Sequence, residues 1–250
     1  MSNSNFEQLA EKDLISVLDL LDVEDLIRTC SSNKKISTLC NSSPNLRNKI
    51  ERYKVIKRKI VNLSQEKKSI LLKNYASDGD NFLLELDFLL KNGADIHYHK
   101  DQPLFNAVNK GNYNTIQFLL DKGATITRSI FSEAIYKGRK NIVELLLINE
   151  ANPNMTIAFT GVGWDNRDNV NSNKTVLEET IIISQDDPVE LIESGHSDLA
   201  RAIRRGEFPD IIKLLLEYGA NPKLINDEVT DPKLKQIFQQ YSVNFEISNT

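Results

Sequence analysis

Apolar positions in the second half of the chain recur with helical spacing and stop at the same kind of residue. In Leu86 to Gly93, Ile116 to Gly123, Val143 to Glu150 and Ile212 to Gly219, apolar residues stand seven, four and three positions ahead of the closing position. That spacing draws a single stripe along a helix, and Gly suits the left-handed conformation in which helices commonly end. Upstream, a small residue stands four positions before another Gly, as in Ala107 and Gly111, Ala134 and Gly138, and Ala202 and Gly206, with Tyr75 replacing Ala ahead of Gly79. The small residue precedes the closing position by 16 residues in two copies (107 to 123, 134 to 150) and by 17 in the last (202 to 219). Two helices joined by a tight Gly turn account for this interval. The expected fold is all-α, a helix-pair solenoid over residues 71–241 followed by a tail at 242–250.

Between Asn154 and Ser197 the spacing breaks. Thr175 to Thr180 matches the opening of a repeat and Leu191 to Gly195 a shortened close. Residues 155–174 therefore read as an insertion and 175–195 as a degenerate repeat, one of about five; the alternative is a single decorated loop over 155–196. The insertion holds the only Trp, Trp164, between Gly161, Gly163 and a polar Asn/Asp run, and its start, Met155 to Trp164, has room for a short hairpin. The polar run lacks the central Gly and closing Glu of a calcium loop. Ahead of the repeats, Leu9, Leu14, Ile15, Val17, Leu18, Leu20, Leu21, Leu26, Ile27, Ile36 and Leu39 predict two or three short amphipathic helices within residues 1–50, with a connecting helix over 51–70.

Gln102-Pro-Leu-Phe-Asn-Ala107, then Gly111, then Gln117-Phe-Leu-Leu-Asp-Lys-Gly-Ala124 resemble an ankyrin repeat, with its T-P-L-H-x-A-A-x-x-G opening and L-L-x-x-G-A-D-x-N close. Pro103 keeps the helix-opening Pro, whose missing N–H is harmless there. The resemblance implies a non-enzymatic scaffold that binds a target protein. Leu9 to Cys30, followed by Asn33-Lys-Lys-Ile36, resembles an F-box, with Ala10 in place of the family's Pro. F-boxes fused to ankyrin repeats resemble proteins of large DNA viruses, with an adaptor-binding module first and substrate-binding repeats second. The resemblance implies a substrate adaptor of an SCF-type ubiquitin ligase in the host cytoplasm, in which Leu9, Leu14 and Leu18 contact the small adaptor subunit. The alternative is a plain ankyrin scaffold whose N-terminal helices only cap the repeat stack.

Composition narrows the partners. With 250 residues, 40% hydrophobic and 26% charged, and a mean hydropathy of -0.37, the chain has a globular profile. No apolar run nears the roughly 18 residues of a membrane span, and the polar start from Met1 to Asn5 is unlike a secretory signal, so a cytoplasmic monomer without a membrane partner is expected. A net charge of -4 argues against nucleic acid. One stretch runs the other way: Arg47, Lys49, Arg52, Lys54, Lys57, Arg58 and Lys59, interleaved with Ile50, Val55, Ile56, Ile60 and Val61. It reads as a helix with a solvated basic face, an anionic partner being the alternative. Cys30 and Cys40 fit neither a redox motif nor a zinc knuckle, and are expected to be small buried apolar residues, not a disulfide.

No metalloprotease helix, phosphate-binding Gly loop or nucleophile motif is present, so no catalytic residue and no cofactor are expected. His97 and His99 lie in the turn from Asp95 to Asp101, where a strand-like backbone would set them on one side; without a third ligand they read as polar turn residues and no metal is expected. A target surface is expected at the residues just before each inter-helix Gly: Ser77 and Asp78, Asn109 and Lys110, Tyr136 and Lys137, Arg204 and Arg205. His97, His99 and Trp164 are expected to extend it. Tyr and Arg are enriched among interface hot spots, and the Arg204–Arg205 pair implies an acidic patch on the target.

Overall fold

The computed structural model describes residues 11–157, 174–175, 177, 180, 207–221 and 232–247. Among these the chain is all helical apart from one pair of two-residue strands. The helices are α1 (Glu11–Leu20), α2 (Val23–Ser32), α3 (Lys34–Ser42), α4 (Pro44–Ile60), α5 (Gln65–Asp78), α6 (Leu83–Lys91), α7 (Tyr98–Lys110), α8 (Tyr113–Asp121), α9 (Arg128–Tyr136), α10 (Lys140–Ile148), α11 (Glu207–Glu217) and α12 (Pro232–Ile247). A 3-10 turn, Asp80–Phe82, precedes α6. The chain divides into two compact units, Met1–Leu72 with Leu83–Asp95, and Lys73–Phe82 with Ile96–Thr250. The boundaries expected at 50 and 70 fall inside α4 and α5, and α12 continues past 241.

In the first unit the helix starts are written by capping residues. The Asp22 carboxylate accepts the backbone N–H groups of Glu24 and Asp25, each at 2.9 Å, and Asn33 accepts that of Lys35 at 2.8 Å. Pro44 opens α4, where its fixed φ fits and its N–H is not needed. Leu14, Leu18, Leu26, Ile36, Leu39 and Leu46 close a core around Cys30 and Cys40. Those two cysteines are buried and joined in a disulfide, with their Cα atoms 6.2 Å apart. This corrects the expectation of free thiols: the packing of α2 against α3 carries the two side chains into bonding reach, and such bonds persist in oxidising surroundings. α4 lies along α6. Arg52 makes two 2.7 Å bonds to the buried Glu85 carboxylate, and Tyr53 meets Phe88 edge-to-face at 5.3 Å. The Tyr53 hydroxyl donates to Glu24 at 2.5 Å; burial, then this acceptor, push the phenol well above its ordinary pKa.

In the second unit α7 and α8, then α9 and α10, form antiparallel pairs. The stripe residues Ile116, Leu119, Val143, Leu146, Ile212 and Leu215 are all buried. Every described pair ends the same way. The N–H of Gly123 reaches Leu120 O at 2.9 Å, and that of Ala124 reaches Leu119 O at 3.0 Å, a Schellman-type closure. Glu150–Ala151 and Gly219–Ala220 repeat it, as does Gly93–Ala94 in the first unit. Glu150 is left-handed too, at φ 68°, although it carries a Cβ.

β1 (Thr156–Ile157) pairs antiparallel with β2 (Lys174–Thr175), Thr156 opposite Thr175. The start of the insertion thus pairs with its far end; the rest of the hairpin expected over Met155 to Trp164 lies outside the described residues. α11 packs on α10, with Lys140 and Asp210 3.6 Å apart. Asn154 bridges the two closing turns, donating to Gly219 O at 2.8 Å and accepting from Asn221 N at 2.7 Å. The repeat expected over 175–195 falls mostly outside the described residues. Of its residues, only Thr175, Leu177 and Thr180 are described, the last two buried.

Candidate target-binding surface

The residues flanking each inter-helix turn are where helix ends leave backbone groups without intrahelical partners, and here side chains from the neighbouring repeat fill that need. Asn112, just after Gly111, donates from Nδ2 to Ala76 O at 2.9 Å and Ser77 O at 3.2 Å, closing the end of α5. Arg139, just after Gly138, does the same for α7, its Nη1 donating to Asn109 O at 2.8 Å and to Val108 O. Asp80, just after Gly79, faces the other way. Its carboxylate accepts from Thr115 N at 2.8 Å, Thr115 Oγ1 at 2.9 Å and Asn114 Nδ2 at 2.9 Å, capping the start of α8.

This ladder draws on several positions expected to be free. Asn109 is half-buried and donates to the buried carboxylate of Glu133 at 2.5 Å, and Lys137 lies 3.9 Å from the same carboxylate. Tyr136 is only 8% exposed, so it is part of the core and not a ridge-top aromatic. Ser77 is half-buried, and Asp78 and Lys110 are exposed. Arg204, Arg205 and Trp164 lie outside the described residues, as does Leu9.

The His97–Lys100 turn is not strand-like. His99, Lys100 and Asp101 are all left-handed, with φ of 50°, 61° and 59°. Buried Asp101 anchors them: its Oδ1 meets His97 Nδ1 at 2.8 Å and accepts Thr125 N at 2.9 Å, tying this turn to the next. His99 stacks on Tyr98 at 4.1 Å. The two imidazoles therefore have separate partners. Among the described residues no group of three His, Cys, Asp or Glu side chains is placed to hold a metal ion, and no helix is long and apolar enough to cross a membrane. The turn and Lys110 sit at opposite ends of α7, about 15 Å apart at 1.5 Å per residue, so the structure splits the expected ridge into two clusters.

The residues expected to meet an adaptor are corrected outright. Leu14 and Leu18 are 1% and 0% exposed and belong to the core of the first unit. The exposed apolar residues of α1 are Val17 and, at 86%, Leu20. Helix phase tells these pairs apart, and the sequence alone did not separate the inward from the outward set.

Helix pairs closed by Gly turns and cross-capped between neighbours define a repeat scaffold. Residues 74–157 match the family model for ankyrin repeats, in three copies. No curated protein and no solved structure matched the chain. Over residues 74–157, about a third of its length, the chain is similar to ankyrin repeats.

Proposed function

We propose that this protein is a non-enzymatic adaptor whose ankyrin repeats hold a target protein on the clusters at the two ends of α7. Asp78 and Lys110 form the inter-helix cluster, and His97, His99 and Lys100 the turn cluster; Trp164, Arg204 and Arg205, outside the described residues, are proposed to belong to the same surface. The observation that carries this reading is the contrast within the ladder. Ser77, Asn109, Tyr136 and Lys137 are drawn into the scaffold, whereas Asp78, Lys100 and Lys110 are exposed and make no side-chain hydrogen bond or ion pair among the described residues. Residues that the fold does not use are available to a partner. The test is quantitative affinity capture with the intact chain and an Asp78→Lys/Lys110→Glu variant. A protein held by the former and lost by the latter supports the surface; identical capture removes it.

We propose further that α1 to α3 are an F-box-like module and that the second partner is the small adaptor subunit of an SCF-type ubiquitin ligase. What supports this is that these helices close a core with α4, while Leu20 and Val17 stay exposed on α1. Co-purification of that adaptor with the full chain, lost on Leu20→Asp, is the expected result. Retention of the adaptor by Leu20→Asp, or its absence throughout, would leave the plain capping role.

A further inference from the structure

Between Arg47 and Lys59, α4 carries seven cations against one carboxylate, Glu51. Four of them have partners within the fold. Lys49 donates to Asp19 O and Leu21 O at 2.7 and 3.0 Å, Arg52 is bound to Glu85, and Lys54 is bound to Glu51 at 2.7 Å. Arg58 is exposed, donates from Nε to Lys54 O at 3.3 Å and feels the charge of Glu51, whereas Arg47, Lys57 and Lys59 are exposed and have no carboxylate partner among the described residues. Lys57, Arg58 and Lys59 fall in the last turn, where cations complement the helix dipole. Arg47 falls in the first turn, where the dipole disfavours a cation and no acidic residue compensates. The dipole therefore accounts for one end of the run only.

Two apolar residues share this outer face: Val55 is 41% and Val61 43% exposed, beside Arg58 and Lys59. We infer that the outer face of α4 docks an acidic segment of a protein partner that carries apolar side chains. Seventeen residues of helix span about 25 Å, the reach of an extended peptide of about eight residues. Nucleic acid fits less well, since the one aromatic of α4, Tyr53, is buried and gives bases nothing to stack on. A lipid surface fits less well because the apolar side of α4, Leu46, Ile56 and Ile60, is turned into the protein and cannot insert.

The probe is a fluorescein-labelled peptide alternating Glu with Leu, titrated with the full chain and read by anisotropy. Saturable, salt-sensitive binding is expected, weakened about tenfold by Lys57→Glu/Arg58→Glu and also weakened by Val55→Asp. The exposed control Lys235→Glu should bind as the parent does, and far-UV circular dichroism should show each variant folded. The inference is overturned if the peptide does not saturate, or if Lys57→Glu/Arg58→Glu binds it as well as the parent. Tighter binding of duplex DNA or of phosphatidylserine vesicles than of the peptide would overturn it as well.

Discussion

Replacing Gly111 with Ala probes the cross-capping of neighbouring repeats directly. The backbone there is left-handed at φ +83°, where a residue with a Cβ is disfavoured by about 1–2 kcal/mol. The added Cβ would also lie 2.9 Å from Arg139 Cζ and 3.1 Å from Nη1. The guanidinium can swing aside, but only by releasing the carbonyls of Val108 and Asn109. A hydrogen bond from a charged donor contributes about 1.5–3 kcal/mol, and water recovers part of that at this half-buried site. Gly111→Ala should therefore destabilise by about 3 kcal/mol. Gly123 is the internal control: φ is +94°, and an added Cβ would meet nothing within 4 Å, so Gly123→Ala should cost only the conformational part, about 1 kcal/mol. Urea unfolding followed by far-UV circular dichroism measures both, provided the slope is unchanged. In an Arg139→Ala background, Gly111→Ala should fall to the Gly123→Ala value. Equal destabilisation by the two substitutions in the parent chain would refute the latch.

Glu150 is left-handed at φ 68°, so Glu150→Gly should raise stability by about 1 kcal/mol, seen as a higher melting temperature; a fall would contradict the turn geometry. The pKa of Asp22 is lowered chiefly by the backbone N–H of Asp25, then by Lys91. Its contribution is thus full above the unfolded value of about 3.9 and lost as pH falls through the lower folded value, and Asp22→Asn, which keeps the cap, should flatten that acid limb of the stability profile. Reducing Cys30–Cys40, which closes a sequence separation of 10, should destabilise the first unit by about 3 kcal/mol; thiol titration finding both cysteines free in the untreated protein would contradict the pairing. Asn109→Ala strips a donor from buried Glu133 and should destabilise by about 1–3 kcal/mol, whereas Lys110→Ala should stay within about 0.5 kcal/mol; equal melting temperatures would refute that contrast.

The helix pairs were legible because a core must be filled at fixed spacing: Leu119, Leu146 and Leu215 could not be moved without emptying it. Gly123 and Gly219 were legible for the same reason, since few residues accept their φ. What was hidden depends on neighbours distant in sequence. Nothing around Cys30 states how close α3 will bring Cys40. The left-handed run His99–Asp101 has no propensity signal, and it rests on a bond from Thr125 that only the stacked turns create. Tyr136 looked free because it precedes an inter-helix Gly, yet the fold buries it.

The residue after each inter-helix Gly explains how so degenerate a repeat holds together. Asp80, Asn112 and Arg139 differ in charge, length and hydrogen-bonding sense, yet each reaches the backbone of a neighbouring repeat. Helix ends make this possible, because they offer spare N–H groups at one end and spare carbonyls at the other. An acceptor such as Asp80 finds the start of α8; donors such as Asn112 and Arg139 find the ends of α5 and α7. The position is thus constrained by geometry and only loosely by residue type, so its variety is not a sign of freedom. Lys137 apart, which is drawn to buried Glu133, freedom lies one residue before the Gly, at Asp78 and Lys110. There the helix-end carbonyls are already satisfied by the neighbouring repeat, and a partner that engages these side chains does not compete with the fold for them.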